Sequence, residues 1–186
     1  KSNQIPWLMC SQKKYTIIKN KIPVSKKIKV GISWKSPAYI DKNISLKKLL
    51  SILPDKYFDI INLQYGNTEN ERKKTEELQS RKIIYFNNFD YKNDQEGLAA
   101  IINNCDFVVS VSNAVVHLSG ALGKLTYTLI PTRSLWYWHN ERNNCLWYPN
   151  VLLFKQSTWR KWDEPLARIK NDIELKYIKN YNYLDR

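Results

Sequence analysis

Residues 105–123, with the sequence CDFVVSVSNAVVHLSGALG, contain the stretch that decides the fold. Residues 107–111 form a continuous run of apolar and small side chains, which is typical of a strand buried on both faces of a parallel sheet. Either Ser112 or Asn113 can cap a helix that starts directly afterwards, and Gly123 is a natural helix stop. The stretch therefore predicts a strand, a tight polar turn and a helix.

The start of this predicted helix is the main candidate binding site. Its first backbone N–H groups have no partner within the helix, so together with the helix dipole they attract anions. Ser110, Ser112 and Ala114 are small and leave room for a phosphate to approach. His117 lies one turn into the helix, on about the same face as Asn113, where it can donate a hydrogen bond to a diphosphate oxygen. The alternative interpretation is that Ser112 simply caps the helix and that His117 is a half-buried histidine without a ligand.

The rest of the chain repeats the same alternation of apolar runs and helical patterns. The predicted strands are residues 28–34, 58–63, 82–86, 107–111, 125–130 and 151–154, and the predicted helices are 13–19, 44–53, 68–80, 94–104, 113–122 and 162–178. Because the strands are continuously apolar, we predict an α/β fold: a Rossmann-like, doubly wound, mainly parallel sheet flanked by helices. Ligands of such sheets bind at the carboxyl ends of the strands, near the switch in strand order.

The positive charge is concentrated at the start of the chain. The 186 residues carry a net charge of +13, and residues 1–40 contain nine lysines and no acidic residue. Two interpretations stay open: a basic surplus without a functional role, or an arm that binds a partner. Specific nucleic-acid binding is the weaker form of the second interpretation, because residues 1–29 contain no recognition-helix or RNA-binding motif.

Other features of the composition exclude several classes of protein. The chain has the composition of a globular domain, and it lacks the run of about 18 apolar residues that a transmembrane helix needs. Three widely spaced cysteines and two histidines argue against a disulfide framework or a zinc site, and they favour a reducing compartment. We therefore expect a cytoplasmic protein with no metal and no cofactor. Because the chain begins without Met or a signal peptide, we also expect it to be a piece of a longer protein.

A set of short motifs follows in a fixed order along residues 28–175. They are Val30-Gly31-Ile32-Ser33-Trp34-Lys35, Leu63-Gln64, Gly120-Ala121-Leu122-Gly123, Pro131, Trp136-Tyr137-Trp138, Trp147-Tyr148-Pro149 and Leu153-Phe154-Lys155-Gln156. In this order the motifs resemble the GT-B glycosyltransferases of the bacterial heptosyltransferase type. They resemble even more closely the glycosyltransferase-like regions at the end of tetratricopeptide-repeat proteins. The sequence departs from the pattern at Ser112, where many members have aspartate, and at Asn113, where they have threonine.

This resemblance implies a domain organisation and a function. GT-B enzymes have two Rossmann-like halves, and residues 28–178 resemble the second half, which binds the nucleoside-diphosphate sugar donor. Residues 1–27 would then be a linker or basic arm, and residues 179–186 a tail. The acceptor-binding N-terminal half, which supplies the general base, would be missing, so no catalytic residue is assigned. The implied reaction is inverting and metal-independent, and the alternative is a non-catalytic module that binds a nucleotide or a partner.

The candidate donor-binding residues follow from the same resemblance. They are Ser33, Trp34, Lys35, Gln64, Ser110, Ser112, Asn113, Ala114, His117, Trp136 and Arg142. Lys35 is either a phosphate contact or a surface lysine, and Gln64 either reads a base or ribose edge or is an exposed loop residue. Trp34 lines the cleft or belongs to the core, and Trp136 forms a stacking wall or packs in a loop. Arg142 reaches the diphosphate or is a solvated charge.

Overall fold

Six parallel strands form one sheet in the computed structural model, which describes residues 6–37, 40–138 and 145–179. The strands are β1 (Ile28–Ser33), β2 (Phe58–Asn62), β3 (Ile83–Ile84), β4 (Phe107–Val111), β5 (Thr126–Ile130) and β6 (Val151–Lys155). Their order is β3-β2-β1-β4-β5-β6, and every described pairing is parallel. This is the doubly wound arrangement that the sequence predicts, with the switch in strand order between β1 and β4.

Helices cover both faces of the sheet. They are α1 (Gln12–Lys21), α2 (Leu46–Leu50), α3 (Glu69–Gln79), α4 (Gln95–Asn103), α5 (Ala114–Ala121) and α6 (Asp163–Ile173). Short 3₁₀ turns occupy Ile40–Lys42 and Trp136–Trp138, and a π-helical turn, Glu174–Ile178, follows α6. Among the described residues, no helix is long and apolar enough to span a membrane.

Three predicted elements are shorter by three residues or more in the structure than in the sequence pattern. The predicted helix 44–53 is α2 alone, because Ser45 caps it by accepting a hydrogen bond from the N–H of Lys48, and the chain turns after Leu50. The predicted strand 82–86 keeps only two residues in the ladder with β2. The predicted helix 162–178 changes to π-helical geometry after Ile173.

The central strands are buried on both faces, as continuous apolar runs predict. Every residue of β4 and of β5 is buried. On one face, Phe107 and Tyr127 pack in a core with residues of α2 and α6. On the other face, Val108 packs with residues of α1, α4 and α5. Each fully buried large apolar side chain stabilises the fold by roughly 1.5–3 kcal/mol, so these two cores hold the sheet between its helical layers.

The basic segment before β1 contains a helix that packs on the sheet domain. Ser11 caps α1 by accepting a hydrogen bond from the N–H of Lys14. Ile18 and Ile22 are buried in the same core as α4. On the inner side, Lys14 forms ion pairs of 2.8 Å with Asp94 and 3.1 Å with Glu96. The proposed boundary at residue 27 and the tail 179–186 stay predictions, since residues 180–186 lie outside the described part of the chain.

Candidate functional site

The carboxyl ends of β1 and β4 lie side by side at the switch in strand order, and we call this position the crevice. Ser33 and Ser110 are direct neighbours across the two strands, and both are buried. The chain leaves β4 through Ser112 and enters α5 at Ala114, which is exposed at the open end of the helix. The structure therefore places the predicted turn, the helix start and the end of β1 side by side.

Asn113 joins the two sides of this crevice. Its Oδ1 accepts a hydrogen bond of 3.0 Å from the N–H of Val115, so Asn113, and not Ser112, caps α5. Its Nδ2 donates to Ser33 Oγ at 2.7 Å and to the carbonyl of Lys35 at 3.0 Å. The hydroxyl of Ser110 lies 3.2 Å from the same Oδ1. The hydrogen bonds of this one buried amide thus link the end of β1 to the start of α5. The N–H of Val115 is already bonded to the capping oxygen.

The side chain of Gln64 also holds the turn after β1 in place through hydrogen bonds. Its side chain is only 3% exposed, so the expectation of an exposed loop glutamine is wrong. Its Oε1 accepts from the hydroxyl of Ser33 (3.0 Å), the N–H of Trp34 (2.8 Å) and the N–H of Lys35 (2.8 Å). Its Nε2 donates to the carbonyls of Tyr65 at 2.7 Å and Lys35 at 3.3 Å. Because these bonds engage the whole amide, its geometry supports a positioning role and leaves no donor for a base edge.

Glu71 on α3 holds the two residues that follow Ser33. Trp34 is fully buried in the core, so its ring does not line the cleft, and its indole N–H donates to Glu71 at 3.1 Å. The ammonium of Lys35 pairs with the same carboxylate at 2.5 Å. Burial alone would raise the pKa of Glu71, but the N–H of Leu46, the Lys35 ammonium and the Trp34 N–H together hold it below its usual value. Lys35 is therefore an ion-paired residue at the rim of the crevice.

A buried tryptophan, Trp138, holds the turn after β4 in place. The indole N–H of Trp138 donates to Ser112 Oγ at 2.7 Å, and Trp138 is fully buried. Trp136 is 76% exposed and contacts Tyr137 edge-on, with ring centroids 5.7 Å apart. Arg142 lies outside the described residues, so its assignment stays a prediction.

His117 sits in an aromatic cage beside the start of α5. It stacks on Trp138 with centroids 5.0 Å apart, and Tyr137 and Tyr148 meet its ring edge-on at 5.3 Å and 5.9 Å. The Tyr148 hydroxyl lies 3.5 Å from Nδ1 of His117. Burial lowers the pKa of His117, and the positive charge of Lys42 lowers it further. The imidazole is therefore neutral at pH 7. One ring nitrogen can donate a hydrogen bond and the other can accept one.

Lys42 is a site residue that the sequence analysis missed. It ends the 3₁₀ turn after β1, is only 5% exposed, and lies within electrostatic reach of His117. Burial lowers the pKa of its ammonium group. A single lysine in a polar loop forms no motif. The one feature of the sequence that pointed to Lys42 was its position in the loop after the carboxyl end of β1, where ligands of such sheets bind.

The glycines of the Gly120-Ala121-Leu122-Gly123 motif have structural explanations. A Cβ at Gly120 would lie 2.5 Å from Cγ of Tyr148, so glycine lets the Tyr148 ring approach α5 closely beside His117. Gly123 has a φ of +72° and ends the helix in the left-handed conformation that favours glycine. The motif thus shapes the wall around His117.

A second cavity of about 290 Å³ lies at the carboxyl ends of β2 and β3. Gln64 borders it, so it adjoins the crevice, and its other lining residues are Asn62, Tyr65, Gly66, Asn67, Thr68, Glu69, Arg72, Tyr85, Phe89, Asp90, Tyr91 and Lys92. The guanidinium of Arg72 lies 4.4 Å from the centre of the Tyr85 ring and pairs with Glu76 at 2.6 Å, while its buried Nε has no hydrogen-bond partner among the described residues. Across the described residues, no three His, Cys, Asp or Glu side chains are grouped so as to hold a metal ion.

Comparison with known proteins gives one sequence relative and two similar structures. No family model matches the chain. It is 28% identical over 148 residues to Protein FlbA of Caulobacter vibrioides, a match that covers 76% of this chain and 24% of that protein. A glycosyl transferase family 9 structure from Veillonella parvula has a TM-score of 0.60 and 12% identity, covering 80% of this chain and 42% of that one. The ADP-heptose LPS heptosyltransferase II of E. coli has a TM-score of 0.65 and 12% identity. This match covers 94% of this chain and 54% of that one.

The chain spans about a quarter of the FlbA protein and about half of each glycosyltransferase chain. At 12% identity, the two structures establish a shared fold and no more. The six-stranded parallel sheet described here is thus the Rossmann-like α/β fold found in part of these glycosyltransferases, as the sequence motifs predicted.

Proposed function

We propose that the chain is the donor-binding half of an inverting, metal-independent glycosyltransferase that uses a nucleoside-diphosphate sugar. One observation carries the proposal: the start of α5 lies at the switch in strand order, with His117 one turn into the helix and Lys42 within electrostatic reach of that histidine. A helix N-terminus flanked by a lysine and an imidazole suits the two negative phosphates of such a donor.

The diphosphate would lie against the first turn of α5. Ala114 is exposed there and small enough to let a phosphate approach the backbone. The Lys42 ammonium would neutralise one phosphate, and the imidazole of His117 would donate a hydrogen bond to another oxygen. As the bond from the sugar to the diphosphate breaks, negative charge grows on the leaving oxygen, and these fixed groups would stabilise it.

The nucleoside would occupy the cavity at the ends of β2 and β3. The aromatic side chains of Tyr65 and Phe89 line this cavity and can pack on a planar base, and the carboxylates of Glu69 and Asp90 can accept hydrogen bonds from ribose hydroxyls. This arrangement follows the general rule that nucleotides lie across the carboxyl edge of a doubly wound sheet.

The proposed transfer needs a second protein half. An acceptor hydroxyl would attack the anomeric carbon, the bond to the diphosphate oxygen would break, and a general base would take the hydroxyl proton. We assign that base to an N-terminal acceptor-binding half. A non-catalytic nucleotide-binding module is the second candidate, and one contact favours it: at the position of the family aspartate, Ser112 accepts a hydrogen bond from Trp138 instead of offering a carboxylate.

Calorimetric titration with UDP, GDP and ADP tests the proposal, with Lys42→Met as the key variant. Charge-assisted hydrogen bonds contribute roughly 1.5–3 kcal/mol, so we expect the variant to bind the preferred diphosphate about tenfold to a hundredfold more weakly. Lys47→Met is the matched control, because Lys47 is exposed on α2 and should leave the affinity unchanged. Equal affinities of the two variants, or no binding of any nucleotide, would contradict the proposal. Sugar transfer by a protein that contains both halves would separate the enzyme from the binding module.

A further inference from the structure

One segment of the chain, residues 9–26, combines exposed lysines with exposed aliphatic side chains. Lys13, Ile17 and Lys21 are spaced four residues apart on α1, so they form one exposed stripe along the helix. Met9 precedes α1 and is 88% exposed. In the connection from α1 to β1, Val24 is fully exposed and Lys26 is exposed. We call these six residues, Met9, Lys13, Ile17, Lys21, Val24 and Lys26, the basic face.

The charges of the basic face are not neutralised within the described structure. Its three lysines form no ion pair there, whereas the neighbouring Lys14 and Lys27 pair with acidic residues of the domain. Residues 1–40 contain no acidic residue at all. The basic face therefore presents positive charge to solvent without an internal counter-charge.

Exposed apolar side chains are concentrated near the basic face. Eleven large hydrophobic side chains are exposed among the described residues, and five of them lie within residues 7–24. The segment before α1 is held against α5, because the ring of Trp7 contacts that of Tyr148 at a centroid distance of 5.4 Å and Leu8 donates its N–H to the carbonyl of Ala121. A surface that combines exposed lysines with exposed aliphatic side chains suits the boundary between lipid headgroups and acyl chains.

We propose that the basic face binds the surface of an anionic lipid bilayer. The lysines would contact the negative headgroups, and Met9, Ile17 and Val24 would enter the boundary beneath them. A nucleic acid is the less suitable polyanion, because residues 1–40 contain no arginine, which is the usual reader of phosphates and base edges. Since the crevice lies at the carboxyl edge of the sheet and uses none of these residues, this proposal is independent of the proposed function.

Co-sedimentation with lipid vesicles tests the proposal. We expect the chain to bind vesicles of phosphatidylcholine with phosphatidylglycerol, to bind pure phosphatidylcholine far more weakly, and to dissociate as the salt concentration rises. The variant Lys13→Glu/Lys21→Glu/Lys26→Glu should bind at least about a hundredfold more weakly, since each surface lysine contributes roughly a fivefold factor. The matched control Lys47→Glu/Lys82→Glu/Lys161→Glu makes the same change in net charge on exposed lysines elsewhere and should bind like the unchanged chain.

The apolar half of the proposal has its own variant. Met9→Ser/Ile17→Ser/Val24→Ser should weaken binding about tenfold, while Leu78→Ser/Leu175→Ser, which alters two other exposed side chains, should not. Equal binding to neutral and anionic vesicles, or no binding at all, would overturn the proposal. Competition by duplex DNA that depends on the same three lysines and not on the apolar residues would also overturn it, in favour of a general polyanion surface. Circular dichroism and an unchanged urea midpoint verify that every variant is folded.

Discussion

Replacing Gln64 by leucine is expected to lower the free energy of unfolding by about 3–5 kcal/mol, because five hydrogen bonds disappear and buried polar groups lose their partners. The hydroxyl of Ser33 and the N–H groups of Trp34 and Lys35 would lose their acceptor, and two carbonyls would lose their donor. Urea unfolding measures the change, which should appear as a lower midpoint at unchanged slope.

Two further variants define what the Gln64 amide contributes. Gln64→Glu keeps the accepting oxygen but turns a second oxygen toward the carbonyls of Lys35 and Tyr65. We expect it to be destabilising at pH 7 and less so at pH 4, where a protonated carboxyl can donate again. Gln12→Leu, an exposed change on α1, should alter the free energy by no more than about 0.5 kcal/mol. If Gln64→Leu lowered the free energy of unfolding by less than about 1 kcal/mol, Gln64 would not stabilise the turn after β1 as described.

The second large effect is expected for Asn113→Ala, which should lower the free energy of unfolding by about 3 kcal/mol. Removing a helix cap costs about 1 kcal/mol, and the lost donors to Ser33 and Lys35 add to it because both acceptors lie at a buried junction. Thr68→Ala is the matched control, since Thr68 occupies the N-cap of α3 but makes no capping hydrogen bond with its side chain. It should change stability by no more than about 0.5 kcal/mol.

Asn113→Asp separates the cap from the link to β1. The carboxylate still accepts from the N–H of Val115 and suits the positive end of the helix, but it cannot donate to Ser33 or to the carbonyl of Lys35. We expect Asn113→Asp to lower the free energy of unfolding by more than the control Thr68→Ala does and by less than Asn113→Ala does. If Asn113→Asp matched the unchanged chain in thermal and urea unfolding, the link across the crevice would carry no stability.

The sheet was predictable because local sequence determines it. The continuous apolar run Val108-Val109-Ser110-Val111 is typical of a central strand of a parallel sheet, and all four residues are buried in β4. Element ends were less predictable where tertiary pairing decides them, as in β3, which pairs with β2 through two residues. The fold itself therefore follows from apolar runs, and its exact boundaries follow from neighbours distant in sequence.

The site was only partly predictable, because its contacts join distant segments. Nothing local indicates that Gln64 is buried, since its partners lie about thirty residues earlier in the chain. Lys42 had no distinctive pattern, and its burial depends on the fold. By contrast, the capping residue and His117 were visible in the sequence, because a cap and a helix face are local properties.

The most direct test of the central claim, that the start of α5 binds a diphosphate, is the pKa of His117 measured by NMR with and without a nucleoside diphosphate. The chain has two histidines, so His139→Gln leaves a single imidazole to follow. Burial keeps the pKa of free His117 low, and a bound dianion would stabilise the imidazolium, so binding should take up a proton and strengthen as the pH falls. The account predicts that a saturating diphosphate raises this pKa by at least about one unit. A pKa that stays where it is, or falls, under saturation would contradict it.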